Sequence, residues 1–406
     1  MNAFEEPYRV LRKIYAEGAR LKLALADTPL GERRGRTVKT VYGVLENDGY
    51  LEFCVRTFAE KPPKAAVKLV LKIALYAILF LDMPKAAATS EAVGLVKLLG
   101  KGGAAGFVNA FLRAFEQEKV VLPEGIEGLI IRSNFPRFAV EEICDRYGDR
   151  AEAILTARSR GVSVRFRESI GEYAALPYQE TTFKNVYLFP NFTRDEGFFQ
   201  GKYTFQSLGS VAICDVVEPC GELLDACAAP GGKSVLLAEQ CGRVTACELH
   251  AHRVKLIKDY CARMGAKNVT AMQADSAVFR PEFGKRFDGV LCDVPCSGLG
   301  TASENPDLPL NKRAEDIIEL NRIQAEILEN CARYVQCGGF LVYSTCSILK
   351  AENDDMVGAF LVKHGEFTVE EITSPLPFER TAYGLQFLPD TAFGAGFYVC
   401  KLRRAL

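Results

Sequence analysis

Residues 223–233, Leu-Leu-Asp-Ala-Cys-Ala-Ala-Pro-Gly-Gly-Lys, constrain the fold more than any other stretch of the chain. The apolar start reads as a buried strand, the Ala, Pro and Gly residues as a loop at its end, and residues 234–239 as a helix. Small residues at the C-terminal edge of a parallel strand let a ligand lie against the backbone, where the N–H groups that open the next helix face it. The spacing is not the Gly-x-Gly-x-x-Gly of dinucleotide sites. No Gly stands five positions before Gly232 either, as a phosphate-binding P-loop would need. Three more strand patterns follow, and each delivers an acid: residues 244–248 end in Glu248, 269–274 lead to Asp275, and 287–292 lead to Asp293. In doubly wound folds the acid about one strand beyond the glycines takes ribose hydroxyls. Each acid alone reads as a solvated strand end; in register at one sheet edge they predict a site for an adenosine-bearing ligand.

A chain of 406 residues is too long for one ordinary core and divides into two or three domains. The longest apolar run, 73–81, is too short to span a bilayer, and residues 1–20 lack the apolar core of a signal peptide. These features predict a cytoplasmic protein with no membrane contact, and a monomer is the default expectation. The 14 cysteines contain no Cys-x-x-Cys pair, and His250, His252 and His364 are not spaced as ligands with them, so reduced thiols and no metal site are expected. Net charge is −1, but residues 1–120 hold 19 Lys and Arg against 13 Asp and Glu, a balance of +6 that leaves −7 for the remainder. The basic first part is compatible with a phosphate-facing surface.

Residues 7–115 show helical periodicity, strongest over 65–81, and Arg33-Arg34-Gly35-Arg36 reads as a basic loop between two helices. Residues 116–130 have the composition of a linker, and 162–166 and 186–189 alternate as strands of a small α/β connector. The expected boundaries are an all-helical domain at 1–125, the connector at 126–205 and an α/β domain at 206–406. Past Asp293 the chain runs Val-Pro-Cys-Ser-Gly, placing Cys296 just beyond a strand end; a strand at 340–343 leads to Ser-Thr-Cys-Ser and Cys346. A lone cysteine is most often a small buried apolar residue, but two at strand ends on the ligand-binding edge are candidates for chemistry.

Val41-Tyr42-Gly43-Val44-Leu45, residues 74–79, and Gly106-Phe107-Val108-Asn109-Ala110 resemble the all-α domain shared with the transcription factor NusB, an RNA-binding or interaction module. Residues 225–233, Asp293-Val294-Pro295-Cys296-Ser297-Gly298 and Ser344-Thr345-Cys346-Ser347 resemble the signature of the Nol/Nop/Sun family of RNA cytosine-C5 methyltransferases. Asn305-Pro306-Asp307, Gln324 and Glu352-Asn353 support the likeness. It implies a NusB-like domain followed by a Rossmann-like class I methyltransferase domain that uses S-adenosylmethionine. It also implies an RNA partner, which the helical domain points to as ribosomal RNA. Cofactor contacts fall on Cys227, Ala228, Ala229, Pro230, Gly231, Gly232, Lys233, Glu248, Asp275 and Asp293. Cytosine C5 is a poor nucleophile, so a thiolate must first add at C6, and a second group must help release the product. The resemblance assigns attack to Cys346 and release to Cys296, with Asp293 orienting the base. Lys233 reads equally as a modulator of a thiol, a phosphate contact or a solvated helix-start lysine. The same chemistry on transfer RNA or another RNA, and a non-catalytic RNA-binding or ribosome assembly factor of the same fold, are the alternatives. Departures from the family pattern occur at Phe166, Ser207, Ser303-Glu304 and residues 394–397, away from the glycine loop and both cysteines.

Overall fold

The computed structural model describes residues 2–159 and 161–406. The chain packs as two compact units, 1–156 with 305–312, and 157–304 with 313–406.

The first unit is helical. Its central helix, Ala65–Phe80, is apolar nearly all round and buries Val70, Leu71, Ile73, Ala74 and Leu75 completely, so helices must cover it on every side. Helices Glu5–Glu17, Arg34–Glu46, Asp48–Phe58 and Lys85–Leu98 pack around it. Lys72, on the same helix, is only 5% exposed and is tolerated because Asp48 (2.6 Å) and Glu52 (2.9 Å) both pair with it. Two expectations shift here. The Arg33–Arg36 run is not a loop: Arg34, Gly35 and Arg36 form the first turn of their helix. The linker composition of 116–130 hides the start of helix Gly125–Ser133. That helix and the two after it, Arg137–Tyr147 and Ala151–Thr156, belong to the first unit, so the segment expected as a connector is shared between the units. Asn134 ties them in, accepting from the Gly49 N–H (3.0 Å) and donating to the Leu45 carbonyl (2.9 Å). Residues 305–312 also pack here: the buried Asp307 accepts from the Leu21 N–H at 3.2 Å.

The second unit opens with a four-stranded antiparallel sheet that includes Val162–Phe166 and Val186–Phe189. A nine-stranded sheet follows, labelled β1 (Glu222–Asp225), β2 (Arg243–Glu248), β3 (Val269–Gln273), β4 (Phe287–Asp293), β5 (Val335–Thr345), β6 (Phe367–Glu370), β7 (Glu379–Arg380), β8 (Leu385–Phe387) and β9 (Phe397–Arg404). The order is β7-β8-β9-β5-β4-β1-β2-β3, with β6 also on β9; β3 through β5 are parallel and β9 runs antiparallel to β5. The helices are α1 (Leu208–Val216), α2 (Gly232–Leu237), α3 (Ala251–Met264), α4 (Ala314–Tyr334) and α5 (Asp354–Lys363).

Both faces of the central parallel strands β1, β4 and β5 are covered and their buried side chains are mainly apolar, whereas the edge strand β3 stays partly open. Leu224, Val290, Cys292, Leu341 and Tyr343 pack with Ile327 and Leu328 of α4 and Val357 of α5 on one face. Leu223, Val244, Leu291, Phe340 and Val342 pack with Val211 and Ile213 of α1 on the other. The alternation is the two-residue period of a strand feeding two layers. The strand order reverses at β1, where β2 lies on one side and β4 on the other. The crevice beyond the C-terminal ends of β1 and β4 is therefore the ligand position for a sheet of this kind.

Candidate active site

The small-residue loop after β1 sits at that crevice. Ala226 N–H continues the ladder to the Leu291 carbonyl (2.9 Å) and Ala228 N–H reaches the Cys247 carbonyl (2.9 Å), so neighbouring strand ends hold the loop on both sides. Gly231 has φ of +107°, and a Cβ there would stand 3.2 Å from the Ile257 Cα on α3. Only glycine suits that backbone, and α2 starts at the next residue.

Asp225, the last residue of β1, is 1% exposed. Its Oδ2 accepts from the Ser234 hydroxyl at 2.6 Å, while Oδ1 has no partner in ordinary hydrogen-bond geometry. Burial raises its pKa to about 6; the Ser234 hydroxyl pulls the other way and the Asp293 charge adds to the rise. Glu248, at the end of β2, is buried, with Oε1 accepting from the His250 N–H (3.0 Å) and Arg253 ion-paired at 3.2 Å. Asp275 lies exposed beyond the end of β3, accepting from the Ala277 N–H at 2.9 Å.

Asp293 closes β4 and faces Ser344 across the parallel pair, whose hydroxyl donates to its Oδ1 at 2.8 Å. Its Oδ2 receives the Lys233 ammonium at 2.7 Å. Burial alone would lower the Lys233 pKa, but the Asp293 carboxylate outweighs it and holds the ammonium well above its ordinary range. The structure gives Lys233 a part that spacing could not show: it links the glycine loop to Asp293, with its side chain only 18% exposed rather than solvated.

The β4 and β5 loops bring the two cysteines together, with Sγ atoms 2.9 Å apart and both thiols free. Cys346 N–H points at the Cys296 sulfur (3.2 Å), and Gly300 N–H donates to the Cys346 carbonyl (3.0 Å). A Cβ on Gly300 would be 2.0 Å from the Gly396 carbonyl oxygen, so the glycine is what lets the loops close up. The hydrogen bond to Cys346, together with burial, pushes the Cys296 thiol well above its usual range. Beneath both loops lies a buried carboxylate, Glu352, hydrogen-bonded to Ser297, Ser347 and Gln324. Asp225 and Glu352 carried no expected site role; a strand-terminal Asp opening the small-residue loop was the available signal for the first, and the Glu352-Asn353 likeness for the second. Asn305-Pro306-Asp307, which supported the resemblance, packs with the helical unit.

Among the described residues, no group of three or more His, Cys, Asp or Glu could hold a metal ion, and no helix is long and apolar enough to cross a membrane. Residues 217–403 match the family described as 16S rRNA methyltransferase RsmB/F, and residues 8–117 match the NusB family. A Bacillus subtilis protein named "Probable ribosomal RNA small subunit methyltransferase B" is 33% identical, over 95% of this chain and 94% of its own. The chain belongs to the RsmB/F methyltransferase family. Another RsmB/F relative, the ribosomal RNA small subunit methyltransferase B of Xanthomonas campestris, is 30% identical over 98% of this chain and 96% of its own. Two solved structures share the fold: PH0851, with a TM-score of 0.83, 23% identity and 99% and 98% of the two chains covered, and NSun6 from Pyrococcus horikoshii, with a TM-score of 0.59, 21% identity and 67% and 99% covered. The NusB-like domain and the class I S-adenosylmethionine-dependent methyltransferase fold implied by the motifs are thereby established. S-adenosylmethionine is the cofactor of this fold, and the glycine-lined loop at the order reversal, with the buried Asp225 carboxylate at its start, has the small-residue, polar character that such a ligand would fit.

Proposed function

We propose that this protein methylates C5 of a cytosine in small-subunit ribosomal RNA through a covalent bond between Cys346 and C6 of the base. The observation that carries the reading is the convergence of Cys346, Cys296 and Asp293 at the ends of two adjacent parallel strands, next to the glycine loop. S-adenosylmethionine supplies an electrophilic methyl group. Residues 227–233 would hold it, with Glu248, Asp275 and Asp293 around its polar edges. The Cys346 thiolate adds to C6, the C5=C6 electron pair becomes available at C5, and the Asp293 carboxylate accepts a hydrogen bond from the exocyclic amino group of the base, which orients the ring. Once C5 carries the methyl group it loses its proton to a base, and the C6–S electron pair returns to sulfur, restoring the double bond. Cys296 suits the release step: its raised pKa keeps it a thiol at neutral pH, able to hydrogen-bond the departing Cys346 sulfur. The Lys233 ammonium and the Ser344 hydroxyl fix the rotamer of Asp293 so that it meets a base flipped out of its stack.

The test is a pair of variants incubated with ribosomal RNA and S-adenosylmethionine and run on a denaturing protein gel. Cys296→Ala is expected to accumulate an RNase-sensitive covalent band, whereas Cys346→Ala gives none and loses methyl transfer by at least about 10³-fold. The reverse pattern exchanges the roles of the two cysteines. A wild-type protein that forms no adduct and incorporates no methyl into ribosomal RNA refutes the reading and favours another RNA or a binding factor.

A further inference from the structure

We infer that Glu352 is a positioning residue that clamps the two active-site thiols in register, an inference that rests on the cysteine roles proposed above. Ser297 directly follows Cys296, and Ser347 directly follows Cys346. Glu352 joins them: Oε1 accepts from the Ser297 N–H (2.7 Å), and Oε2 accepts from the Ser297 hydroxyl (2.6 Å) and the Ser347 hydroxyl. A fourth donor, Gln324 Nε2 on α4, reaches Oε1 at 3.0 Å and the Pro295 carbonyl at 3.0 Å, so it grips the residue before Cys296 as well.

Glu352 is fully buried, and among the described residues no cation pairs with it. A buried carboxylate without a counter-ion is expensive, and for stability alone an apolar side chain of similar volume would serve as well or better. What a carboxylate adds is four acceptor directions from one rigid group, here spent on two loops and one helix. Consecutive Cα atoms are about 3.8 Å apart, so fixing Ser297 and Ser347 leaves each neighbouring cysteine little freedom beyond its own rotamer. The backbone of the Glu352 segment is itself held, because Tyr343 of β5 donates to the Glu352 carbonyl at 2.7 Å and Asn353 accepts from the Thr345 hydroxyl at 2.6 Å. The clamp is therefore referenced to the strand that carries Cys346. Glu352 meets the Ser297 hydroxyl and N–H and the Ser347 hydroxyl; its part in the reaction is to set where the thiols stand.

The experiment compares Glu352→Ala, Glu352→Gln and the double variant Ser297→Ala/Ser347→Ala in the full chain, with wild type and Cys346→Ala as controls. Readouts are kcat and KM on small-subunit ribosomal RNA, calorimetric affinity for S-adenosylmethionine, and the position of the methyl group on the product nucleoside. Glu352→Ala is expected to lower kcat about 100-fold, the scale of an ångström-sized misplacement of a reacting group, with KM and cofactor affinity within about threefold. Glu352→Gln is expected to recover kcat to within about tenfold, since the amide oxygen still serves the two N–H donors and the amide N–H groups can donate to serine hydroxyls that turn around. A wild-type kcat in Glu352→Ala overturns the proposal, as does a loss that follows cofactor affinity and KM, which marks a general structural role. Should Glu352→Ala fail to fold, the double serine variant decides: a fall in kcat alone supports the clamp and an unchanged kcat overturns it. A wild-type product methylated elsewhere than cytosine C5 removes the proposed function and the clamp's role with it, whereas C5 methylation with an insensitive Glu352 removes only the clamp.

Discussion

Two lysine–carboxylate pairs in the second unit have the same separation, 2.7 Å, and opposite surroundings. The side chains of Lys233 and Asp293 are 18% and 24% exposed, whereas those of Lys255 and Asp259 are 75% and 59% exposed. At this distance and an effective dielectric constant of 20 the gross attraction is about 6 kcal/mol for either pair, most of it offset by desolvation. Water screens the exposed pair further and leaves about 0.3 kcal/mol. The shielded pair keeps less water between its charges, and its carboxylate is preoriented by Ser344, so a net coupling of about 2 kcal/mol is expected. The perturbation is a double-mutant cycle for each pair, Lys233→Met with Asp293→Asn and Lys255→Met with Asp259→Asn. It is read on the unfolding transition that S-adenosylmethionine shifts upward, which identifies the unit concerned. Raising KCl from about 0.1 M to about 0.5 M shortens the Debye length from about 10 Å to below about 5 Å and should erase only the exposed coupling. The Lys233 pKa is raised in the folded state, so the pair's contribution is fully present below the ordinary lysine pKa and is lost only as pH rises through the higher folded value. Equal couplings for the two pairs, or a Lys233–Asp293 coupling that vanishes in salt, would refute the claim that burial decides between them.

Two glycines separate backbone strain from helix propensity. Gly231→Ala must adopt φ near +107° and push a methyl group to 3.2 Å from the Ile257 Cα, and is expected to destabilise the second unit by about 2–4 kcal/mol and weaken cofactor binding in calorimetry. Gly35→Ala, in a helical first turn with nothing within 4 Å, should instead stabilise the first unit by about 0.5–1 kcal/mol, measured by thermal unfolding. Asp225 titrates near 6 in the folded chain, above its unfolded value, so its contribution to stability is fully present at pH below about 4 and is lost as pH rises to about 6, by roughly 3 kcal/mol. Asp225→Asn should flatten that part of the stability-against-pH curve; an unaltered curve between those limits means Asp225 is not the titrating group.

What the sequence determined by itself was local and periodic. Short, largely apolar runs ending in Asp225, Glu248 and Asp293 read as buried strands with loops at one edge, their length and spacing arguing against helices. The helix at 65–80 was equally legible, being apolar on every side. Ends were less legible: Arg33–Arg36 looks like a loop by charge, yet a helix begins inside it, since exposed arginines are good helix formers. The site itself was partly legible, because Pro-Cys and Thr-Cys motifs mark strand ends regardless of what lies opposite. Only the tertiary structure decided that Cys296 and Cys346, 50 residues apart, stand sulfur to sulfur, that Lys233 belongs to Asp293, and that Glu352 joins the serines that follow the two thiols. Such pairings depend on which strands are neighbours and in what register, as when Asp293 faces Ser344 across β4 and β5. β4 and β5 are parallel strands joined by a long crossover, so no tight turn fixes their register and it is settled where the two segments pack together.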